Sequence, residues 1–242
     1  MFEYVVLSVA FLVFLSSWYF PLPYGRFSKD YAFADKIVPN RWFIAFASLP
    51  ALVLLTIVIA YDSNPLDNFG TVVFVFLWMH FLMRSIIVPL AIGGIYTSDP
   101  KKVSAMLLLL VMVYNAFVGY TLGHMCTTLK GTFGASWTDI PLLTGALACL
   151  VLNIYYDIRV NYLRVHGEDD VSEDLYVPRK TLEKEFTLLF ALEVTSPNYF
   201  FEILEWGFIF LLTWHTESFA YFVASVLILW TRGLYINLTY DN

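Results

Sequence analysis

The feature that most constrains this chain is a series of apolar runs, each long enough to cross a hydrocarbon core about 30 Å thick. Seven runs occur, at about residues 2–20, 41–61, 69–92, 103–123, 140–160, 199–214 and 216–236. Charged residues make up only 14% of the chain, whereas soluble domains average about 25%. The sequence therefore predicts an all-α polytopic membrane protein, a bundle of seven transmembrane helices that forms a single domain over residues 1–242.

The positive charges predict how the bundle is oriented. Twelve of the 14 Lys and Arg residues lie in or beside alternate loops, namely Arg26, Lys29, Lys36, Arg41, Lys101, Lys102, Arg159, Arg164, Arg179, Lys180, Lys184 and Arg232. By the positive-inside rule, the N-terminus is on the lumenal or intermembrane side and the C-terminus on the cytosolic or matrix side. The endoplasmic reticulum and the mitochondrial inner membrane both remain open.

Two carboxylates at membrane depth are the first candidate for a functional site. Glu202 and Glu205 lead into the sixth run, three residues apart, so they share one face of a helix. An ionisable side chain inside a membrane is rare and is often functional. Arg84, inside the third run, must find carboxylate partners, and a buried ion pair of this kind can also simply fix the register of two helices. His80, one turn earlier, is more typical of a core histidine than of a ligand.

A second group of polar residues lies at the end of the fifth run. Asn153 and Asp157 are four residues apart, and Arg164 follows seven residues later, so all three project from roughly one side of a helix. Bases that bind phosphates, together with amides and carboxylates that bind ribose hydroxyls, are what a dinucleotide site requires. The alternative is a polar contact between helices, with Asp157 neutralised by Arg159 or Arg164.

Several other functions lack a signal in the sequence. Cys126 and Cys149 have no metal-binding spacing and are interpreted as apolar fillers. No His, Glu or Cys cluster predicts a metal ion, and no glycine-rich phosphate loop is present. The net charge of −6 argues against nucleic acid. Asn115, Gly119 and Tyr120 in the fourth run are ambiguous, because small residues one turn apart often allow helices to approach closely.

With these residues in place, the chain resembles the steroid 5α-reductase family. These membrane enzymes use NADPH to reduce a carbon–carbon double bond conjugated to a ketone in steroids, polyprenols or enoyl thioesters. The matching segments are Pro23–Arg26, His80–Arg84, Asn153 to Arg164 and Asn198 to Trp206. The resemblance implies that the helices enclose cofactor and lipid. It also implies a set of cofactor-binding residues: Arg84, Asn153, Asp157, Arg164, Asn198 and Glu202, with Glu205 supporting them and Tyr240 keeping an aromatic of that shell.

The chain departs from the family where the reaction needs an acid. A tyrosine and a glutamate of the family polarise the substrate ketone, and the resemblance implies that the corresponding positions here are Phe81 and either Ser48 or its neighbour Ala47. A phenyl ring has no proton to donate, and serine is a poor replacement for a carboxylic acid. The loss of one such donor typically costs about 2.7–4 kcal/mol.

Three further departures concern the predicted cofactor shell. Phe201 replaces a glycine of the family just before Glu202, which adds a ring where backbone and ligand approach closely. Tyr176 replaces a loop arginine, and Ile236 replaces a histidine. The shell is therefore retained only in part.

Two hypotheses follow from this pattern. In the first, the protein is an active NADPH-dependent reductase of a steroid, polyprenol or other lipid. In the second, it is a catalytically degenerate pseudoenzyme that serves as a structural or accessory subunit of a larger membrane complex, for example a respiratory one. Loss of both donors favours the second, and the retained polar residues support the first. Dinucleotide binding without turnover is intermediate. The expected partners are membrane lipids and other membrane subunits.

Overall fold

The computed structural model describes residues 7–8, 11–12, 36–62, 65–95, 102–166, 196–231 and 233. Its helices are α1 (Asn40–Tyr61), α2 (Asn68–Leu82), α3 (Val88–Ile95), α4 (Ala105–Thr128), α5 (Asp139–His166), α6 (Pro197–Thr213) and α7 (Thr216–Ser225). π-Helical turns at Met83–Ile87 and Val226–Trp230 continue α2 and α7. A short antiparallel ladder joins β1 (Lys36–Pro39) to β2 (Lys102–Ser104), with Val38 opposite Val103.

Four of these helical segments are long and apolar enough to cross a membrane. They are Trp42–Tyr61, Asn68–Gly93, Ala105–Thr128 and Asp139–Leu163, and they confirm the second to fifth predicted runs. The sixth and seventh runs are also helical, at Pro197–Thr213 and Thr216–Trp230, but both are shorter. The first run, 2–20, lies almost entirely outside the described residues, so the count of seven spans stays a prediction. The chain is a multi-pass membrane protein.

Helix α1 and helix α4 pack at very short range because Gly119 has no side chain. A Cβ atom built at Gly119 would lie 2.3 Å from the carbonyl oxygen of Ala51, which is a backbone atom that cannot rotate away. Gly123, one turn later, faces the Val58 side chain in the same way, at 2.9 Å. Gly119 therefore allows α1 and α4 to pack closely, as small residues in membrane helices often do.

The core of the bundle is formed by side chains from several helices. Trp206, Ile209, Leu77 and Leu122 are fully enclosed, and they belong to one cluster of buried residues from α1, α2, α4, α5, α6 and α7. The two cysteines, Cys126 and Cys149, are buried and unbridged. This confirms their interpretation as apolar fillers.

The turn between α6 and α7 is held by polar contacts at the end of the bundle that carries few positive charges. Trp214 ends α6 in the left-handed conformation, with φ at 47°. Thr213 and Ser218 share a hydrogen bond of 2.7 Å across the turn. His215 contacts Glu217 through Nδ1, and the more exposed His124 of α4 lies 3.8 Å from the same carboxylate.

Substitution of Gly119 tests the close approach of α1 and α4. We expect Gly119→Ala to lower the free energy of unfolding by about 1–3 kcal/mol, because the added methyl group overpacks the interface. The matched control is Gly207→Ala, where the nearest atom to the new Cβ belongs to the Phe222 side chain, at 3.3 Å. Thermal unfolding in detergent measures both. Equal midpoints for the two variants would contradict the packing argument.

The turn also predicts a dependence of stability on pH. The hydrogen bond to Glu217 raises the pKa of His215 above its ordinary value. A histidine with a raised folded-state pKa stabilises the fold below its unfolded pKa, about 6.5, and this contribution is lost as the pH rises through the folded value. We therefore expect His215→Gln to flatten the fall in thermal midpoint above about pH 6.5. An unchanged pH profile would show that this contact contributes nothing.

Candidate functional site

Arg84 lies at the centre of a polar cluster between α5, α6 and the π-helical turn. Its Nη1 donates to Asp157 of α5, and its Nη2 donates to Glu202 of α6. All three side chains are about 15% exposed. One guanidinium therefore joins two helices by charge-assisted hydrogen bonds, which are the strongest kind in proteins.

Two asparagines complete this cluster. Asn198, one residue into α6, donates from Nδ2 to the second oxygen of Asp157 at 2.6 Å. Asn153 is completely buried. With its amide oriented to satisfy both ends, its nitrogen donates to the backbone oxygen of Asn198 at 3.2 Å, and its oxygen accepts from Arg84 Nη2 at 3.2 Å. We call these five residues, Arg84, Asn153, Asp157, Asn198 and Glu202, the Arg84 cluster.

A second ionisable pair lies next to the Arg84 cluster. His80 Nδ1 and Glu205 Oε1 are 2.6 Å apart, and both side chains are almost completely buried. His80 precedes Arg84 by four residues, and Glu205 follows Glu202 by three. The two contacts therefore connect the α2 segment to α6 side by side, with the two segments running in opposite directions. His80 is buried and hydrogen-bonded, which agrees with its interpretation as a core histidine.

Three buried polar atoms near these contacts have no hydrogen-bond partner among the described residues. They are Ser85 Oγ, Glu205 Oε2 and Trp206 Nε1. Buried polar groups are nearly always satisfied, so unpartnered ones call for a ligand or an ordered water. A carboxylate oxygen that can accept and an indole N–H that can donate suit a ligand that carries hydroxyl and carbonyl groups.

The two positions that lack the expected donors lie in different surroundings. Phe81 is 2% exposed, and its ring packs edge-on against His80, with centroids 5.0 Å apart. The centroid of its ring lies 6.3 Å from that of Trp206. Ser48 is half-buried in α1, and no hydrogen bond joins it to the Arg84 cluster within the described part of the chain.

Phe201 lies at the seam between α5 and α6. Its ring stacks flat on Tyr156, with centroids 5.4 Å apart and planes at 1°. The Phe201 ring thus packs α6 against α5, at the position immediately before Glu202 in the chain. A glycine at this position would leave the face of Tyr156 uncovered.

Some predicted site residues fall outside what the structure describes. These are the side chain of Arg164, whose backbone lies in α5, and Tyr176, Ile236 and Tyr240. The remaining predicted cofactor residues converge on one place. They are the five residues of the Arg84 cluster, together with Glu205.

A dinucleotide fits part of this arrangement. The amides and carboxylates of the Arg84 cluster are suitable partners for ribose hydroxyls and a carboxamide. The same holds for Oε2 of Glu205, which is buried and has no hydrogen-bond partner among the described residues. Arg84 is engaged by two carboxylates, so a pyrophosphate requires further cations. Arg164, whose backbone lies at the end of α5, is the candidate that the sequence predicts for this role. No group of three or more metal-ligating side chains occurs within the described residues.

Comparison with known proteins identifies the family of this chain. Residues 101–240 match the family model for 3-oxo-5-alpha-steroid 4-dehydrogenase. The chain belongs to the 3-oxo-5-alpha-steroid 4-dehydrogenase family. The bovine 3-oxo-5-alpha-steroid 4-dehydrogenase 1 is 26% identical over 220 residues, which cover 87% of this chain and 77% of the bovine protein. The mouse protein of the same name is 25% identical over 233 residues, covering 93% and 83% of the two chains.

Four residues of the Arg84 cluster lie within the segment that matches the family model, namely Asn153, Asp157, Asn198 and Glu202. Sequence reasoning did not single out two nearby phenols, Tyr114 of α4 and Tyr221 of α7. The tyrosines of this chain are numerous, and aromatic belts at membrane interfaces are their usual explanation. Only the rotation of α4 and α7 in the folded bundle shows which of them face inward.

Replacement of Arg84 tests the cluster as a structural unit of this family member. We expect Arg84→Met to lower the free energy of unfolding by about 3–5 kcal/mol, because it leaves Asp157 and Glu202 buried without a counter-charge. The control is Lys130→Met, which removes an exposed cation 3.7 Å from Asp67 and should change stability by no more than about 0.5 kcal/mol. Chemical denaturation in detergent measures both variants. A stable Arg84→Met protein would refute the ion-pair argument.

Proposed function

We propose that this protein binds NADPH at the Arg84 cluster and reduces a conjugated carbon–carbon double bond in a lipid ketone. The observation that carries the proposal is the convergence of Arg84, Asn153, Asp157, Asn198 and Glu202, which come from three separate segments of the chain. The resemblance to reductases implied these residues for cofactor binding. A purely structural ion pair does not need two additional asparagines that are aligned with it.

The objection to turnover concerns the missing proton donors. It rests on Phe81 and Ser48, which are two positions only. The structure also contains other ionisable groups near these positions, namely His80, Glu205, Tyr114 and Tyr221. Loss of the donors at these two positions therefore does not prevent the reaction if another of these groups donates the proton.

The lipid substrate is proposed as a class. The relatives are named for 3-oxo steroids, and an enone is the group that hydride addition followed by protonation reduces. The bundle is in the endoplasmic reticulum under this proposal, since that membrane supplies such lipids to family members.

A second candidate function is favoured by two packing observations. Phe81 is sealed against His80 and Trp206, and Phe201 covers the face of Tyr156. In this alternative the bundle is a degenerate accessory subunit of a larger membrane complex, such as a respiratory complex of the mitochondrial inner membrane. Arg84 then only fixes helix register.

Binding and turnover of NADPH by the purified protein separate the two candidates. We expect nicotinamide fluorescence to report saturable binding, and absorbance at the nicotinamide band to report oxidation when testosterone is present. Asn153→Leu should weaken NADPH binding by about tenfold or more, since a lost buried hydrogen-bonding group costs about 1–3 kcal/mol.

The matched control for binding is Asn115→Leu. Asn115 also lies within a membrane helix, but its amide donates to the backbone oxygen of Val111, at 3.0 Å, and not to the Arg84 cluster. It should bind NADPH like the unaltered protein. Absence of saturable binding, together with co-purification of other membrane subunits in fixed stoichiometry, would establish the accessory function in place of the reductase.

A further inference from the structure

Two phenols lie in the interior of the bundle without a hydrogen-bond partner among the described residues. They are Tyr114 of α4 and Tyr221 of α7, and both pack against the main core. Neither hydroxyl is among the fully enclosed unpartnered atoms, and each residue keeps part of its surface exposed. A ligand can therefore contact each residue.

Tyr221 is the phenol that is closer to the site. It interacts electrostatically with Arg84, Glu202 and Glu205, and also with Tyr114. Its ring packs edge-on against Trp206, with centroids 4.1 Å apart and planes at 83°. Because Trp206 is completely buried, this contact restricts the direction of the Tyr221 hydroxyl. A donor held in one direction is what electrostatic catalysis requires.

The surroundings of Phe81 exclude that position as the source of the acid. Its ring has no donor, and it is enclosed by His80 and Trp206. Tyr221 of α7 contacts the same tryptophan. The ring of Trp206 therefore neighbours both a position without a donor and a phenol that has one.

We propose that Tyr221 is the proton donor that polarises the ketone oxygen of the lipid substrate. This inference rests on the proposed function. The Tyr221 hydroxyl donates a hydrogen bond to the carbonyl oxygen while NADPH, which supplies a hydride when bound, reduces the β-carbon. The electron pair of the double bond moves toward the oxygen, where Tyr221 releases its proton.

The proton that this reaction consumes comes from water. The enol formed at the oxygen takes a proton from water at its α-carbon and loses the proton at oxygen, which returns to Tyr221. One lipid ketone, one NADP⁺ and an unchanged phenol result, with one proton taken from solvent.

Removal of the single hydroxyl tests the assignment. We expect Tyr221→Phe to lower kcat for testosterone by about 100-fold or more, the usual loss on removing one such donor, while NADPH binding stays unchanged. The matched control is Tyr61→Phe, whose hydroxyl is on the surface, at 86% exposure of the residue, and which should retain full turnover. Tyr221→His, which keeps a donor of lower pKa, should recover part of the activity with a pH profile displaced downward.

An infrared measurement tests Tyr221 independently of turnover. The carbonyl stretch of testosterone labelled with ¹³C at its ketone should move to lower frequency in the unaltered protein and in Tyr61→Phe, and less in Tyr221→Phe. Full turnover and an undiminished shift in Tyr221→Phe would overturn the assignment. Failure of the ketone to bind, or the absence of any shift, would also overturn it.

The outcomes distinguish this inference from the proposed function. If the unaltered protein binds and oxidises NADPH with testosterone but Tyr221→Phe does the same, the function stands and the donor is elsewhere. If NADPH does not bind at all, the function fails, and an infrared shift that depends on Tyr221 would then identify a ketone-binding site without reduction. Thermal unfolding of Tyr221→Phe confirms that the variant is folded in each case.

Discussion

The structure depends on the neutralisation of one guanidinium inside a membrane bundle. Arg84 lies within the second described span, where an uncompensated charge is costly. Asp157 and Glu202 supply two opposite charges from two other helices. Because the guanidinium is planar and presents several donors in a fixed geometry, its Nη1 and Nη2 atoms each bind one of the two carboxylates. Helices α5 and α6 are thereby fixed relative to the α2 segment, and the asparagines around Asp157 are positioned by the same contacts.

This constraint connects structure with chemistry. Carboxylates that hold Arg84 in the free protein are also the groups that would bind a dinucleotide, so ligand binding requires some of these contacts to be exchanged. The adjacent His80–Glu205 pair is more deeply buried than the Arg84 cluster. One oxygen of the Glu205 carboxylate has no hydrogen-bond partner among the described residues. The inner pair therefore maintains the fold, while the Arg84 cluster, which has some exposure, is the part available to a ligand.

Much of this arrangement could be predicted from sequence, for identifiable reasons. The runs at 41–61, 69–92, 103–123 and 140–160 are long and uninterrupted. Their helices are confirmed, with ends that differ from the predicted ones by five residues at most. Glu202, Asp157 and Arg84 were recognised because charges at membrane depth are rare. The contact between Asn198 and Asp157 could not be deduced, since it depends on the angle at which α6 begins. Tyr221 was missed because α7 is short and rich in aromatic residues, and its inward face is determined only by the ring of Trp206.

The π-helical turn at Met83–Ile87 has a consequence for how this protein can change. Such a turn contains one residue more than the α-helical path would need. Deletion of one residue there would restore regular α-helix, because the turn holds the extra residue locally. Val88 and Ile92, both now buried, would keep facing the core. The span that contains Arg84 can therefore lose one residue at this turn without exposing its buried side, whereas a deletion elsewhere in the helix would rotate the residues beyond it by about 100°.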